Sequence, residues 1–208
     1  MKSKCKNVII IIGLTLILCN WSYSYWAIKL DNEVKITTDN YYVGEVEYEN
    51  FNIKAKMIRE VETNQIGYCL EIDKSYPKGE VFKENGYATK QLAGILSSGY
   101  PSKSYSELNL FSEEEAYFAT QIAIWSFVEG YDINGFKGDT RVVEAIKKIY
   151  NEGIRADEQS YSNEYMLYYS TNDIQDIVLI KNEKSRLREE NKKNMERKSV
   201  EENLIDGK

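Results

Sequence analysis

The chain of 208 residues contains no histidine. Cysteine proteases, amidases and transglutaminases rely on histidine to form the thiolate and shuttle its proton, so a Cys-His site is impossible here. Zinc fares no better. Among three cysteines, only Cys69 lies outside the first twenty residues, and a lone cysteine with carboxylates is a poor ligand set for that metal. Proline is nearly absent, with only Pro77 and Pro101. There is no Pro-rich or Gly/Ser linker and no internal repeat. Positive charge is in deficit: the formal net charge is -6. That argues against nucleic acid and against a basic membrane-binding patch.

The N-terminus reads as an export signal. Lys2, Lys4 and Lys6 precede an apolar run from Val8 to Cys19, which is short for a membrane span and ends at Asn20. Ser22-Tyr23-Ser24 gives small residues at peptidase spacing, so residues 1–24 are predicted to be a signal peptide. Two further readings are lipid attachment at Cys19, disfavoured by the bulky Leu18 before it, and an uncleaved anchor. Cleavage removes three lysines and no acids, taking the formal charge from -6 to -9. It also removes Cys5 and Cys19. Cys69 then has no partner within the chain. It is a buried small hydrophobe, a free thiol, a bridge to another chain, or the site of some other covalent bond.

The body alternates in type. Residues 30–73 carry strand patterns: Phe51, Ile53, Ala55 and Met57 alternate with polar residues, as do Ile66, Tyr68, Leu70 and Ile72. That alternation sets Gly67, Cys69 and Glu71 on the opposite face. A short helix is predicted over 89–98, stopped by Gly99. Ser112 and Glu115 form a capping-box signature for a second helix running to Glu129. That helix is apolar nearly all round, as a buried central helix is, yet Gln121 lies in its middle. A third helix is predicted over 141–151, capped by Asp139 or Thr140 and stopped by Gly153. EYMLYYS and IQDIVLI read as strands. Asp132-Ile133-Asn134-Gly135 lacks the spaced ligands of a calcium loop and reads as a turn. The tyrosines, including Tyr41, Tyr42, Tyr165, Tyr168 and Tyr169, fall mostly in strand-like segments. Residues 181–208 are dominated by Lys, Glu, Arg and Asn, a helical stalk or a disordered tail. Strands, then helices, then strands predict an α+β domain, or two small subdomains packed together.

Two strings carry a resemblance. GYCLEID around Cys69 and AYFATQIAIW around Gln121 resemble the thioester domains of Gram-positive surface proteins. In that family a Tyr-Cys-hydrophobic motif precedes a Thr-Gln-x-Ala-hydrophobic-Trp motif, here Thr120 to Trp125. LAGILSSGYP and QDIVLI extend the likeness, which covers about residues 40–180 within a domain placed at 30–180. The resemblance implies an internal thioester between Cys69 and Gln121, with no metal and no cofactor. It implies capture of an amine, such as a lysine of a host or matrix protein, by a single-use adhesin rather than a catalyst.

Around that pair, Trp125 lies one helical turn after Gln121 on the same face and is expected to shield the bond, with Tyr68 and Thr120 as further binding or shielding residues. Glu71, about 7 Å from Cys69 along the strand, is a candidate helper in thiol deprotonation or ammonia departure. Family members commonly carry a cell-wall sorting motif. None is found here, so anchoring by another route, secretion, or a shortened chain are the expectations, and oligomeric state is open. The competing readings are a non-covalent extracellular binding module with an inert Cys69, a cysteine enzyme using a carboxylate as base, and a disulfide-linked dimer.

Overall fold

A computed structural model of the protein describes residues 33–155, 165–171 and 173–180. The predicted signal peptide with Cys5 and Cys19, and the charged tail 181–208, lie outside these residues. The nine described strands are β1 (Glu33–Thr38), β2 (Gly44–Tyr48), β3 (Phe51–Ala55), β4 (Ile58–Glu60), β5 (Ile66–Cys69), β6 (Val81–Tyr87), β7 (Phe136–Lys137), β8 (Tyr165–Tyr169) and β9 (Ile177–Ile180). The three described helices are α1 (Lys90–Ser98), α2 (Glu113–Glu129) and α3 (Thr140–Ile154).

The α+β reading holds, but the strands divide into two sheets. Six close a barrel in the order β1-β4-β5-β9-β8-β6, and β3-β2-β7 form a separate three-stranded sheet. Barrel closure needs β8 and β9, which follow the three described helices. β5 therefore pairs antiparallel with β9, Cys69 opposite Ile177. Local patterning carries no trace of that pairing.

Helix α2 is the central element, in contact with β2, β3, β5, α1 and α3. Every residue from Ala116 to Ser126 is buried. Its ends follow from its sequence. Ser112 Oγ accepts the Glu115 N–H, three acids occupy the first turn, and Gly130 closes the helix at φ 78°. The reciprocal half of the capping box differs from expectation. Glu115 accepts the N–H of Phe111 (2.9 Å) and meets Arg141 of α3 (3.3 Å), because α3 packs alongside.

Three other expectations are corrected. The strand through Cys69 ends there instead of reaching Ile72: the Leu70 N–H still donates in register to Asp176 C=O, but the Asp176 N–H goes to the Glu71 carboxylate instead of back to the strand. Tyr41 and Tyr42 lie in the loop before β2, 57% and 56% exposed. Gly153 does not stop α3 but lies inside it, at the closest approach to α1. A Cβ there would stand 2.4 Å from Ile95 Cα and N. Asp139 caps that helix, accepting the N–H groups of Arg141 and Val142. The segment read as a turn is one: Asp132 Oδ1 accepts the Asn134 N–H (3.0 Å).

Gly153→Ala therefore sets a methyl against backbone that no rotamer change relieves. Urea unfolding is expected to show a loss of about 1–3 kcal/mol, where an exposed helical glycine replaced by alanine gains stability.

Candidate functional site

Cys69 is fully buried at the end of β5. The Leu70 N–H donates to Asp176 C=O (2.9 Å), toward β9. Antiparallel strands alternate the edge to which successive residues turn their backbone groups, so Gly67 and Cys69 turn theirs the other way. On that edge the neighbour is β4, whose pairing reaches only Ile66 and Gly67. Side chains of α2 take over where the ladder runs out. Tyr117 Oη donates to Gly67 C=O (3.0 Å), and Gln121 meets Cys69.

That second meeting is a two-point clamp. Gln121 Oε1 accepts the Cys69 N–H (3.0 Å), and Gln121 Nε2 donates to Cys69 C=O (2.8 Å). Gln121 is 1% exposed. A buried carboxamide without partners is costly, and the two bonds answer that cost. They also lay the amide plane against the residue that carries the thiol. The Cys69 N–H draws electron density from the Gln121 carbonyl. It would stabilise charge on Oε1 if a nucleophile added to the carbonyl carbon.

The surroundings are dry and aromatic. Tyr117 and Trp125 lie one turn before and one turn after Gln121, and both are buried. The Tyr117 hydroxyl also accepts the Ile58 N–H (3.3 Å), and its ring stacks on Tyr68 with centroids 4.7 Å apart. The Trp125 indole N–H has no hydrogen-bond partner among the described residues. Tyr68 and Thr120 are buried beside the pair, and both bond to the backbone of Tyr100. Sequence reading missed Tyr117 and Tyr100. Helical spacing could have found Tyr117, four residues before Gln121. Tyr100 sits in a loop, where no periodicity points to it.

Burial pushes the Cys69 thiol well above the ordinary range, and the Glu71 carboxylate pushes it the same way. Glu71 does not share a strand face with Cys69, since β5 has ended. Its Oε1 takes Lys74 Nζ (2.5 Å) and its Oε2 takes the Asp176 N–H (2.6 Å). Both oxygens are engaged by other groups, and the carboxylate secures the chain just after Cys69. No cluster of three metal-ligating side chains occurs among the described residues.

In a Gln121→Met chain, which keeps Cys69 as a thiol, the alkylation rate is expected to go on rising past about pH 8.5, where an ordinary thiol levels off. Adding Glu71→Gln shifts that profile toward lower pH. The same raised value has a stability consequence. The thiol's contribution is complete below the unfolded-state value of about 8.5 and is lost as pH rises from there toward the folded value. Iodoacetamide kinetics and unfolding midpoints across pH 7–11 measure both.

Residues 66–155, which include Cys69 and Gln121, match the family model described as Thioester domain. Among solved structures, the Bacillus anthracis TIE protein is similar at 25% identity and a TM-score of 0.57, over 65% of this chain. This chain spans only 26% of that one. The thioester domain of the Enterococcus faecium TIE86 protein shares the fold at 16% identity and a TM-score of 0.53, over 72% of this chain and 77% of the other. No curated protein matches. Motif strings, family model and fold agree that this chain is similar to the thioester domains of Gram-positive bacteria.

Proposed function

We propose that this chain forms an internal Cys69–Gln121 thioester and uses it to capture an amine covalently at the cell surface. The observation that carries the reading is the clamp of the Gln121 carboxamide on the Cys69 backbone. In the first step the Cys69 sulfur adds to the Gln121 carbonyl carbon. The C–N bond breaks, and the thiol proton leaves with the nitrogen as ammonia. An amide is the more stable acyl group, so the reaction needs help from orientation and from loss of ammonia to solvent. Held geometry supplies about 7–11 kcal/mol of barrier reduction in favourable cases. Burial then keeps water from the thioester.

In the second step an amine adds to the same carbonyl, the C–S bond breaks, and the amine proton passes to the Cys69 thiolate. A lysine amine yields an isopeptide bond. Cys69 is left as a thiol and Gln121 is consumed, so each molecule acts once, as an adhesin and not as a catalyst. A lysine on a host or matrix protein is the target class, and the N-terminal segment directs export. The net negative charge of the chain favours a cationic partner.

A biotinylated alkylamine tests this reading. Incubation with the purified protein is expected to place one label on Gln121, located by peptide mapping, and to release one thiol at Cys69. Label on another residue, or label unaccompanied by a new thiol, contradicts it. Repeated turnover on a test amide would show an enzyme instead.

A further inference from the structure

Tyr100 lies in the connection between α1 and α2, and its backbone is held on both sides. Its N–H donates to Thr120 Oγ1 (2.9 Å), and its C=O accepts the Tyr68 hydroxyl (2.5 Å). The Thr120 hydroxyl spends its own proton on Ala116 C=O (2.8 Å), one turn back in α2. Only its lone pairs remain for Tyr100, so the direction of each bond is fixed. Gly99 makes the approach possible, because a Cβ there would stand 2.5 Å from Thr120 Cγ2 and Oγ1. Thr120 is 0% exposed and Tyr68 is 2% exposed, so water does not compete for these bonds.

The placement in sequence gives the arrangement its meaning. Tyr68 immediately precedes Cys69 on β5, and Thr120 immediately precedes Gln121 on α2. A strand and a helix that meet side by side can slide past one another. Fastening the residue before each reacting group to one third point removes that freedom. Resting on the thioester reading, we infer that the Tyr100 backbone is a jig for bond formation. Tyr68 and Thr120 are positioning residues that act through it on the separation of Cys69 and Gln121. In this role they act through backbone placement and not on the reacting carbonyl or the sulfur. Displacement by about 1 Å is enough to slow a reaction of oriented groups about a hundredfold.

The test follows ammonia loss by intact mass on the full chain after a short pulse of synthesis, with near-UV circular dichroism reporting the fold. Tyr68→Phe and Thr120→Val are each expected to keep the native signal and to lose ammonia about tenfold to a hundredfold more slowly than wild type. Thr120→Ser, which retains the acceptor oxygen, is expected to restore the wild-type rate. The double variant is expected to be slowed by less than the product of the single effects, because both bonds serve one anchor.

Three results overturn the inference while leaving the thioester reading standing. They are wild-type rates in both single variants, no rescue by serine, and slowing confined to molecules that have lost the native signal. A wild-type chain that never loses ammonia rejects the thioester reading, and the inference falls with it.

Discussion

The two hydrogen bonds between the Gln121 carboxamide and the Cys69 backbone are the constraint around which the rest is arranged. They exist because β4 is short. A longer β4 would complete the ladder along β5 and occupy the groups of Cys69 that Gln121 uses. The missing strand length is replaced by side chains of a helix. A helix that donates polar groups to a sheet edge must lie close against it and be buried along its length. This accounts for small residues in α2, Ala116, Ala119 and Ala123, and for the glycines where the chain crosses it. Gly44 leaves room for the Phe118 ring, and Gly99 leaves room for Thr120.

A site without histidine must solve the proton problem by placement instead of by a base. Burial and Glu71 both push the thiol's pKa upward, the opposite of an activated cysteine. In the proposed chemistry that is coherent. A thiol that stays neutral resists stray oxidation and alkylation. Its reaction with Gln121 depends on orientation and on the polarising Cys69 N–H. The same raised value makes the thiolate a reluctant leaving group, which favours persistence of the thioester until an amine is delivered to it. Dry aromatic packing by Tyr117, Tyr68 and Trp125 serves both ends.

Much of this was legible in the residues. The stop of α1 at Gly99, the N-terminal cap of α2 at Ser112, the burial of α2 and the strands at either end follow from local chemistry, which acts within a few residues. Cys69 and Gln121 were legible as a pair through their flanking strings. The jig at Tyr100 was not, because it depends on three segments meeting, and no spacing rule links residues 68, 100 and 120. The end of β5 at Cys69 was hidden for a related reason. Leu70 and Ile72 continue the alternation, and the Leu70 N–H still reaches Asp176 C=O in register, but the Glu71 carboxylate takes the Asp176 N–H and ends the ladder. Gly153 looked like a helix stop because glycine usually punctuates. Here it admits a neighbouring backbone, and only the packing of α1 on α3 reveals that.

The central claim is that Cys69 and Gln121 become covalently joined, and intact mass on freshly purified protein addresses it most directly. The account predicts a mass lower than the sequence mass by one ammonia, restored to the full value in Cys69→Ala after allowance for the substitution. Full sequence mass in the native protein, together with a Cys69 thiol that titrates freely on unfolding, would contradict it. Cys69 and Gln121 would then be a buried contact and nothing more.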